Sequence, residues 1–299
     1  MNDRPGFPPP LGLAIAVLSV SFAAPLFRLA DAPPLTASFW RLAFAVLILL
    51  PFTSKAAVTW TRYTRRDWGI TIASGVALGA HFALWVSSLF YTTVAASVSL
   101  VTLQAVLVAL GGHFLLGDRL SQRAWFGVFL AFAGAITIAL ADGGLGGTSK
   151  RALFGDLLAF LGGFGSAVYM LIGRRLRAKR DLVEYVTPVY AVAALTVLAM
   201  LPLLGQPLTT DLEPRAFVLF VLLAAVPMLG GHTLANWCLK HMEAHVVATW
   251  ILLEPLGAAL LAWPLLGEVP GWITVVGGAM VLIGAAQTQR RQAGTGGSK

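Results

Sequence analysis

Polar and apolar positions fall along this chain in long blocks, without the strict alternation of membrane-barrel strands. Apolar blocks run from Leu11 to Leu29, Ala37 to Phe52, Gly69 to Tyr91, Thr93 to Leu116 and Ala124 to Ala141. Past the glycine-rich segment Asp142 to Ser149 they resume at Leu153 to Gly173, Val186 to Leu204, Phe217 to Leu239, His245 to Leu266 and Trp272 to Gln287. About 20 apolar residues make a helix long enough to cross a bilayer. Lipid offers no partner to a free backbone N–H or C=O, so each block is expected to be helical. The pattern predicts ten transmembrane helices. No cleaved leader is expected, because Pro8, Pro9 and Pro10 precede the first block and no clear small-residue cleavage site follows.

Composition sharpens this reading. Of 299 residues, 58% are apolar and 11% charged, against about a quarter charged in a soluble domain. An ordinary cytosolic enzyme is excluded. The net charge is +8, but Lys and Arg sit in short runs between the blocks rather than on one dense face, so a nucleic-acid partner is not expected. A single cysteine, Cys238, makes no intramolecular disulfide and signals neither a redox centre nor a metal cluster; its plain reading is a small buried apolar residue. Placing the N-terminus in the cytoplasm puts the basic residues of the 55–66, 119–123, 174–180 and 290–299 regions inside, and only Arg28, Lys150, Arg151 and Arg215 outside. With ten spans, both termini are then cytoplasmic. Trp40, Trp60, Trp68 and Trp272 lie near block ends, where an indole ring favours the headgroup zone.

Shifting the sequence by 150 residues superposes two long segments without a gap. Leu103-Gln104-Ala105 meets Leu253-Glu254-Pro255, Leu116-Gly117-Asp118 meets Leu266-Gly267-Glu268, and Gly127 and Gly134 meet Gly277 and Gly284. With small shifts, His81 and Trp85 are echoed by His232 and Trp237, and Leu50-Pro51 by Leu201-Pro202. Each half then holds five helices, and an odd number forces the second copy into the membrane from the opposite side. Such inverted halves pack in two pseudo-equivalent ways, one open to each face, with a solute site between them. The expected fold is an all-α integral membrane protein of ten helices, as two inverted five-helix repeats around a central cavity. Its parts are residues 1–141, a linker at 142–152, a second repeat at 153–287 and a cytoplasmic tail at 288–299.

The run Leu116-Gly117-Asp118-Arg119-Leu120-Ser121 followed by Gly127 and Gly134, with its echo Leu266-Gly267-Glu268, Gly277 and Gly284, resembles the EamA repeats of the drug/metabolite transporter superfamily. Within it, the chain looks most like the YddG-type exporters of aromatic and other amino acids. It departs from the usual pattern in carrying Gln104-Ala105 where the second half has Glu254-Pro255, and Asp118 where Glu is commoner. The resemblance implies a secondary carrier with a central cavity, no ATPase domain and no cofactor, exporting across a bacterial inner membrane. Independently, the sequence has no GxxxxGK[ST] run.

Glu254 lies mid-block, where an acid costs about 2.5–3.5 kcal/mol unless it faces the bundle interior or a watery cavity. It is read as binding a substrate ammonium, relaying a proton or tying two helices together. Pro255 and Gly257 predict a bend there, with a hinge as the sharper reading. His81 and Trp85 are four apart and share a face, as do His232 and Asn236, with Trp237 adjacent. These patches suit an amphipathic, aromatic or zwitterionic solute, or else join helices. Tyr91, Tyr169, Tyr190, Trp250, Ser97, Ser99 and Gln104 are candidates to complete the wall. Arg41 reads either as snorkelling to the interface or as a carboxylate clamp. Gly75 and Gly79, and Gly230 and Gly231, read first as close packing and second as hinges. The Arg174-Arg175-Leu176-Arg177 run with Lys179 and Arg180 is expected to touch anionic lipid.

Two enzyme-like patterns are weak. His241-Met242-Glu243-Ala244-His245 has its acid at the third place, unlike HExxH, and Gly163-Phe164-Gly165-Ser166 has a serine without a recognisable partner base. No metal and no catalysis are expected. The sequence reading is therefore a membrane carrier for small amphipathic metabolites, amino acids foremost, with another solute (a cationic drug or nucleobase) as the first alternative and an intramembrane enzyme as the second.

Overall fold

The computed structural model describes residues 7–92, 94–102, 104–117, 120–141, 150–209, 212–266 and 271–289. It is built from α1 (Pro9–Ala30), α2 (Pro34–Phe52), α3 (Arg65–Ser88), α4 (Val94–Val101), α5 (Gln104–Leu116), α6 (Gln122–Ala141), α7 (Lys150–Arg177), α8 (Leu182–Leu204), α9 (Pro214–His241), α10 (Ala244–Leu265) and α11 (Trp272–Gln289). Among the described residues there is no strand, and seven helices, α1 to α3 and α7 to α10, are long and apolar enough to cross a membrane. A short helix, Ser54–Trp60, which the apolar pattern does not predict, links α2 to α3.

The ends of these helices follow from local chemistry. Thr64 and Asp67 form a reciprocal capping box at the start of α3, with Thr64 N–H donating to Asp67 Oδ2 at 3.0 Å and Asp67 N–H to Thr64 Oγ1 at 3.2 Å. Asp181 and Glu184 do the same for α8. Pro34 and Pro214 open α2 and α9, where a missing N–H costs nothing. Two apolar stretches are discontinuous at corresponding places: α4 stops at Val101 and α5 starts at Gln104, while α10 is interrupted by a turn at Leu252 and Leu253 and restarts at Glu254. Pro255 thus sits in the first turn of a new segment. The bend expected at Pro255 falls just before it, and the corresponding break beside Ala105 forms without a proline.

The polarity is that of a lipid-embedded body. Leu203 (80% exposed), Leu115 (76%), Phe114 (74%) and Trp272 (76%) face outward, whereas Arg41, Ser74, Thr249 and Asn236 are buried. Between helices, small residues allow close approach. A Cβ added at Gly134 of α6 would lie 2.6 Å from the Gly277 carbonyl oxygen of α11, and one at Gly284 would lie 2.5 Å from that of Gly127. As one helix advances the other retreats, so α6 and α11 cross antiparallel. Gly75 and Gly79 of α3 lie against the Val189 and Ala193 carbonyl oxygens of α8, each 2.8 Å from an added Cβ. The α3/α7 contact uses Gly162 and Gly165 in the same way, while Gly163 lies against the Val101 backbone of α4, which accounts for that glycine-rich run by packing. The remaining principal contacts pair α1 with α9 and α10, and α2 with α8 and α9.

At the basic end of the bundle the arginines are interior ties as much as lipid contacts. Arg177 is 2% exposed; its Nε donates to the Asn236 carbonyl oxygen at 3.2 Å and its Nη1 to that of Arg180. Arg180 joins Asp67 of α3 at 2.6 Å and Glu184 of α8 at 3.0 Å, and its Cζ lies 4.1 Å from the Tyr63 ring centroid. These two residues depart from the lipid-facing role expected of the whole run, because a long side chain beside two uncovered carboxylates and orphan carbonyls finds partners within the protein. Burial and the neighbouring Glu184 carboxylate hold the Tyr63 phenol above its usual range, so it stays a donor, at 2.8 Å to Glu184 Oε1. Arg180→Ala is expected to destabilise the detergent-solubilised protein by roughly 1–2 kcal/mol, since a partly buried network exceeds a lone surface pair. A double-mutant cycle with Glu184→Gln, read by thermal unfolding, should return a coupling of about 1 kcal/mol.

Candidate functional site

The two helix interruptions meet at one cavity, about 660 Å³ of space not filled by atoms when the open solvent at its mouth is counted. Val101 and Gln104 approach it from the first break, Ile251 and Glu254 from the second. Ala16 and Val20 of α1 face Ser166 and Met170 of α7 around the same space. All four of these pairs, 16/166, 20/170, 101/251 and 104/254, are separated by 150 residues, and His81/His232 and Trp85/Asn236 by 151. Charge breaks the correspondence. Arg41 has Val192 at the matching place, by the offset that pairs Leu50-Pro51 with Leu201-Pro202, and the acid Glu254 has the neutral Gln104.

The wall is aromatic with few polar atoms. His81 and Trp85 stack with centroids 5.8 Å apart and rings 4° from parallel, which their four-residue spacing on α3 permits. His232 of α9 lies 6.3 Å from His81 and 5.3 Å from Phe82, and Tyr169 of α7 lies 6.5 Å from His232. His81 Nδ1 is 2.9 Å from the Gly162 carbonyl oxygen, which only accepts, so Nδ1 carries the proton and Nε2 of the neutral ring is an acceptor. Asn236 Nδ2 donates to Tyr169 Oη and, at 2.7 Å, to the His232 carbonyl oxygen. Tyr190 Oη hydrogen-bonds Thr233 Oγ1 at 2.9 Å behind the wall.

Several groups on this wall lack partners. Among the described residues, Arg41 Nε, Nη1 and Nη2, Trp85 Nε1, Gln104 Oε1 and Asn236 Oδ1 are buried without a hydrogen bond. Buried polar atoms are nearly always paired, so a cluster of orphans around one space makes it the candidate binding site. Arg41 does not snorkel. It is fully buried, seven residues into α2 and so about 10 Å along its axis, with Cζ 4.4 Å from the Phe82 centroid and 5.7 Å from that of Phe27. Glu254, half-buried, opens the segment of α10 beyond the break, where a carboxylate suits the helix N-terminus.

Of the residues singled out from the sequence, Glu254, His81, Trp85, His232, Asn236, Tyr169, Gln104 and Arg41 come together on this wall. Trp237 and Trp250 instead pack against the apolar core, and Trp237 turns toward Phe7 and His241, with ring centroids 6.0 and 4.8 Å away. Tyr91 is 42% exposed, and Ser97 hydrogen-bonds Ser88 at 2.5 Å. The side chain of Ser99 lies outside the described residues. Gly230 and Gly231 abut Ser19 and Val20 of α1, and Gly257 abuts Ser21, all as close packing. Trp40 and Trp60 donate to the Leu208 and Glu184 carbonyl oxygens at 2.9 and 3.0 Å, so they tie the helix ends to the chain as well as marking them. Cys238 is buried, its Sγ 3.6 Å from the Pro9 carbonyl oxygen. The Ala16/Ser166 and Val20/Met170 pairs were readable in the sequence through the same 150-residue offset, but small apolar residues give no signal on their own.

Comparison with known proteins agrees with this layout. The family model for the EamA-like transporter family matches residues 9–140 and 153–288. An uncharacterized transporter of Archaeoglobus fulgidus is 28% identical over 291 residues, covering 94% of this chain and 96% of that protein. A riboflavin transporter of Rhizobium johnstonii is 30% identical over 128 residues, 42% of this chain and 41% of that protein. A solved crystal structure superposes with a TM-score of 0.77 at 20% identity, covering 93% of this chain and 95% of that one, which is a likeness of fold. With both halves matched and an orphan-lined cavity between them, the chain belongs to the EamA-like transporter family.

Proposed function

We propose that this chain is a secondary carrier that exports small amphipathic metabolites, amino acids including aromatic ones foremost, by alternating access between two inverted five-helix halves. The observation that carries the reading is the cavity wall, assembled from residue pairs at an offset of 150 or 151. A two-fold axis through the cavity produces that pattern, and such an axis in the membrane plane relates halves that open to opposite sides. The helix contacts support it. The α2/α8 and α6/α11 contacts each join corresponding helices, and α3/α7 is matched by α1/α9. Counting α4 and α5 as one broken span gives ten.

For the solute, the orphan donors of Arg41 and Trp85 and the acceptors of Gln104, Asn236 and Glu254 suit a molecule with both kinds of group, and the rings suit an apolar side chain. Glu254 receives the solute ammonium. Gly79, Gly230, Gly231, Pro255 and Gly257, beside the moving contacts, act as pivots. The carrier lies in a bacterial inner membrane with both termini cytoplasmic. A flat heteroaromatic solute such as a flavin is the second reading, favoured by the likeness to the riboflavin transporter together with the His81–Trp85 stack.

Flux of labelled phenylalanine, alanine and riboflavin in proteoliposomes, with and without a pH gradient, is the direct test. Movement of an amino acid supports the first reading. Movement of riboflavin alone favours the second, and reporter tags that place the two termini on opposite sides of the membrane refute the inverted arrangement.

A further inference from the structure

Resting on the reading of the cavity as the substrate site, we infer that the transported solute carries a carboxylate and that Arg41 selects for it. Three observations meet here. The guanidinium is fully buried, its three nitrogens have no hydrogen-bond partner among the described residues, and it lines the cavity. The Phe82 and Phe27 rings attract the cation through their faces but take none of its N–H groups, so the planar fork that matches a carboxylate stays open. Trp85 Nε1 is a second orphan donor on the same wall.

A structural arginine looks different in this same protein. Arg177, equally deep, spends its N–H groups on the Asn236 and Arg180 carbonyl oxygens. Charge count narrows the ligand further. With one cation, Arg41, and one anion, Glu254, on the wall, a monoanionic carboxylate neutralises Arg41 and leaves Glu254 for an ammonium, whereas a dianionic phosphate would leave a buried excess of negative charge. Amines and amides of the same shape leave Arg41 unpaired and are rejected.

The test titrates the purified full-length protein with L-phenylalanine, 3-phenylpropionate, L-phenylalaninamide and phenethylamine, reading the thermal unfolding midpoint. Wild type should bind the two carboxylates about 100-fold more tightly than the amide and the amine, the discrimination expected where a buried charged group would otherwise be left unpaired. Arg41→Gln should bring all four compounds within about threefold, and Arg41→Lys, a point charge without the fork, should retain about a tenth of the preference. Equal binding of phenylalanine and its amide by wild type, or no stabilisation by any carboxylate, overturns the inference. Arg41-dependent binding of 3-phenylpropionate without binding or flux of phenylalanine upholds the carboxylate anchor and removes the amino-acid reading instead.

Discussion

Flux of the proposed solute through Glu254→Gln is expected to fall by about 100-fold, while the variant still folds and reaches the membrane. The side chains are nearly isosteric and the residue is half-buried at a cavity rather than locked into a hydrogen-bonded tie, so the substitution removes charge and little packing. Losing a buried pairing with a solute ammonium weakens binding by about 3 kcal/mol. Flux measured in proteoliposomes at matched protein loading decides the matter. Unchanged flux would reduce Glu254 to a structural residue, and a collapse of expression would show that it ties helices together.

The second large effect lies far from the cavity, where α6 crosses α11. Gly284→Ala places a methyl group 2.5 Å from the Gly127 carbonyl oxygen and 2.6 Å from the Ala131 nitrogen. Backbone atoms cannot swing aside as a side-chain tip does, so the two helices must separate, and a cost of about 3 kcal/mol or more is expected. The same change at Gly69, where nothing lies within 4 Å of the added carbon, should be neutral or stabilising by about 0.5–1 kcal/mol. Size-exclusion profiles and unfolding midpoints of the two variants form the comparison. Equal midpoints would show that the α6/α11 contact contributes little to the fold.

Helix positions were legible because a bilayer imposes one simple requirement, a long apolar run with its backbone bonded internally, and Arg65–Ser88 and Pro214–His241 differ from the blocks read from the sequence by only a few residues at each end. What escaped the pattern was governed by contacts between distant parts of the chain. The break before Glu254 was expected from Pro255, but its partner before Gln104 has no proline and needs the packed halves to account for it. Arg41 near a block end reads as snorkelling until the Phe27 and Phe82 rings are found enclosing it. Trp237 shares a sequence neighbourhood with Asn236, yet adjacent helical positions differ by about 100° in direction, and only Asn236 reaches the cavity. The eight residues that line the cavity are those whose polarity inside an apolar run already demanded an interior place.

The unmatched charges have a further consequence. Two halves related by a two-fold axis offer a guest two equivalent ways to lie, head first or tail first. Here the cation belongs to one half alone and the acid to the other, since Val192 and Gln104 occupy the opposite stations. On the proposed reading, a dipolar guest would be held in a single pose throughout the cycle, leaving toward one compartment with its head leading and toward the other with its tail. The two release steps would then differ in the bond that must break last, and their rates would be set independently of each other.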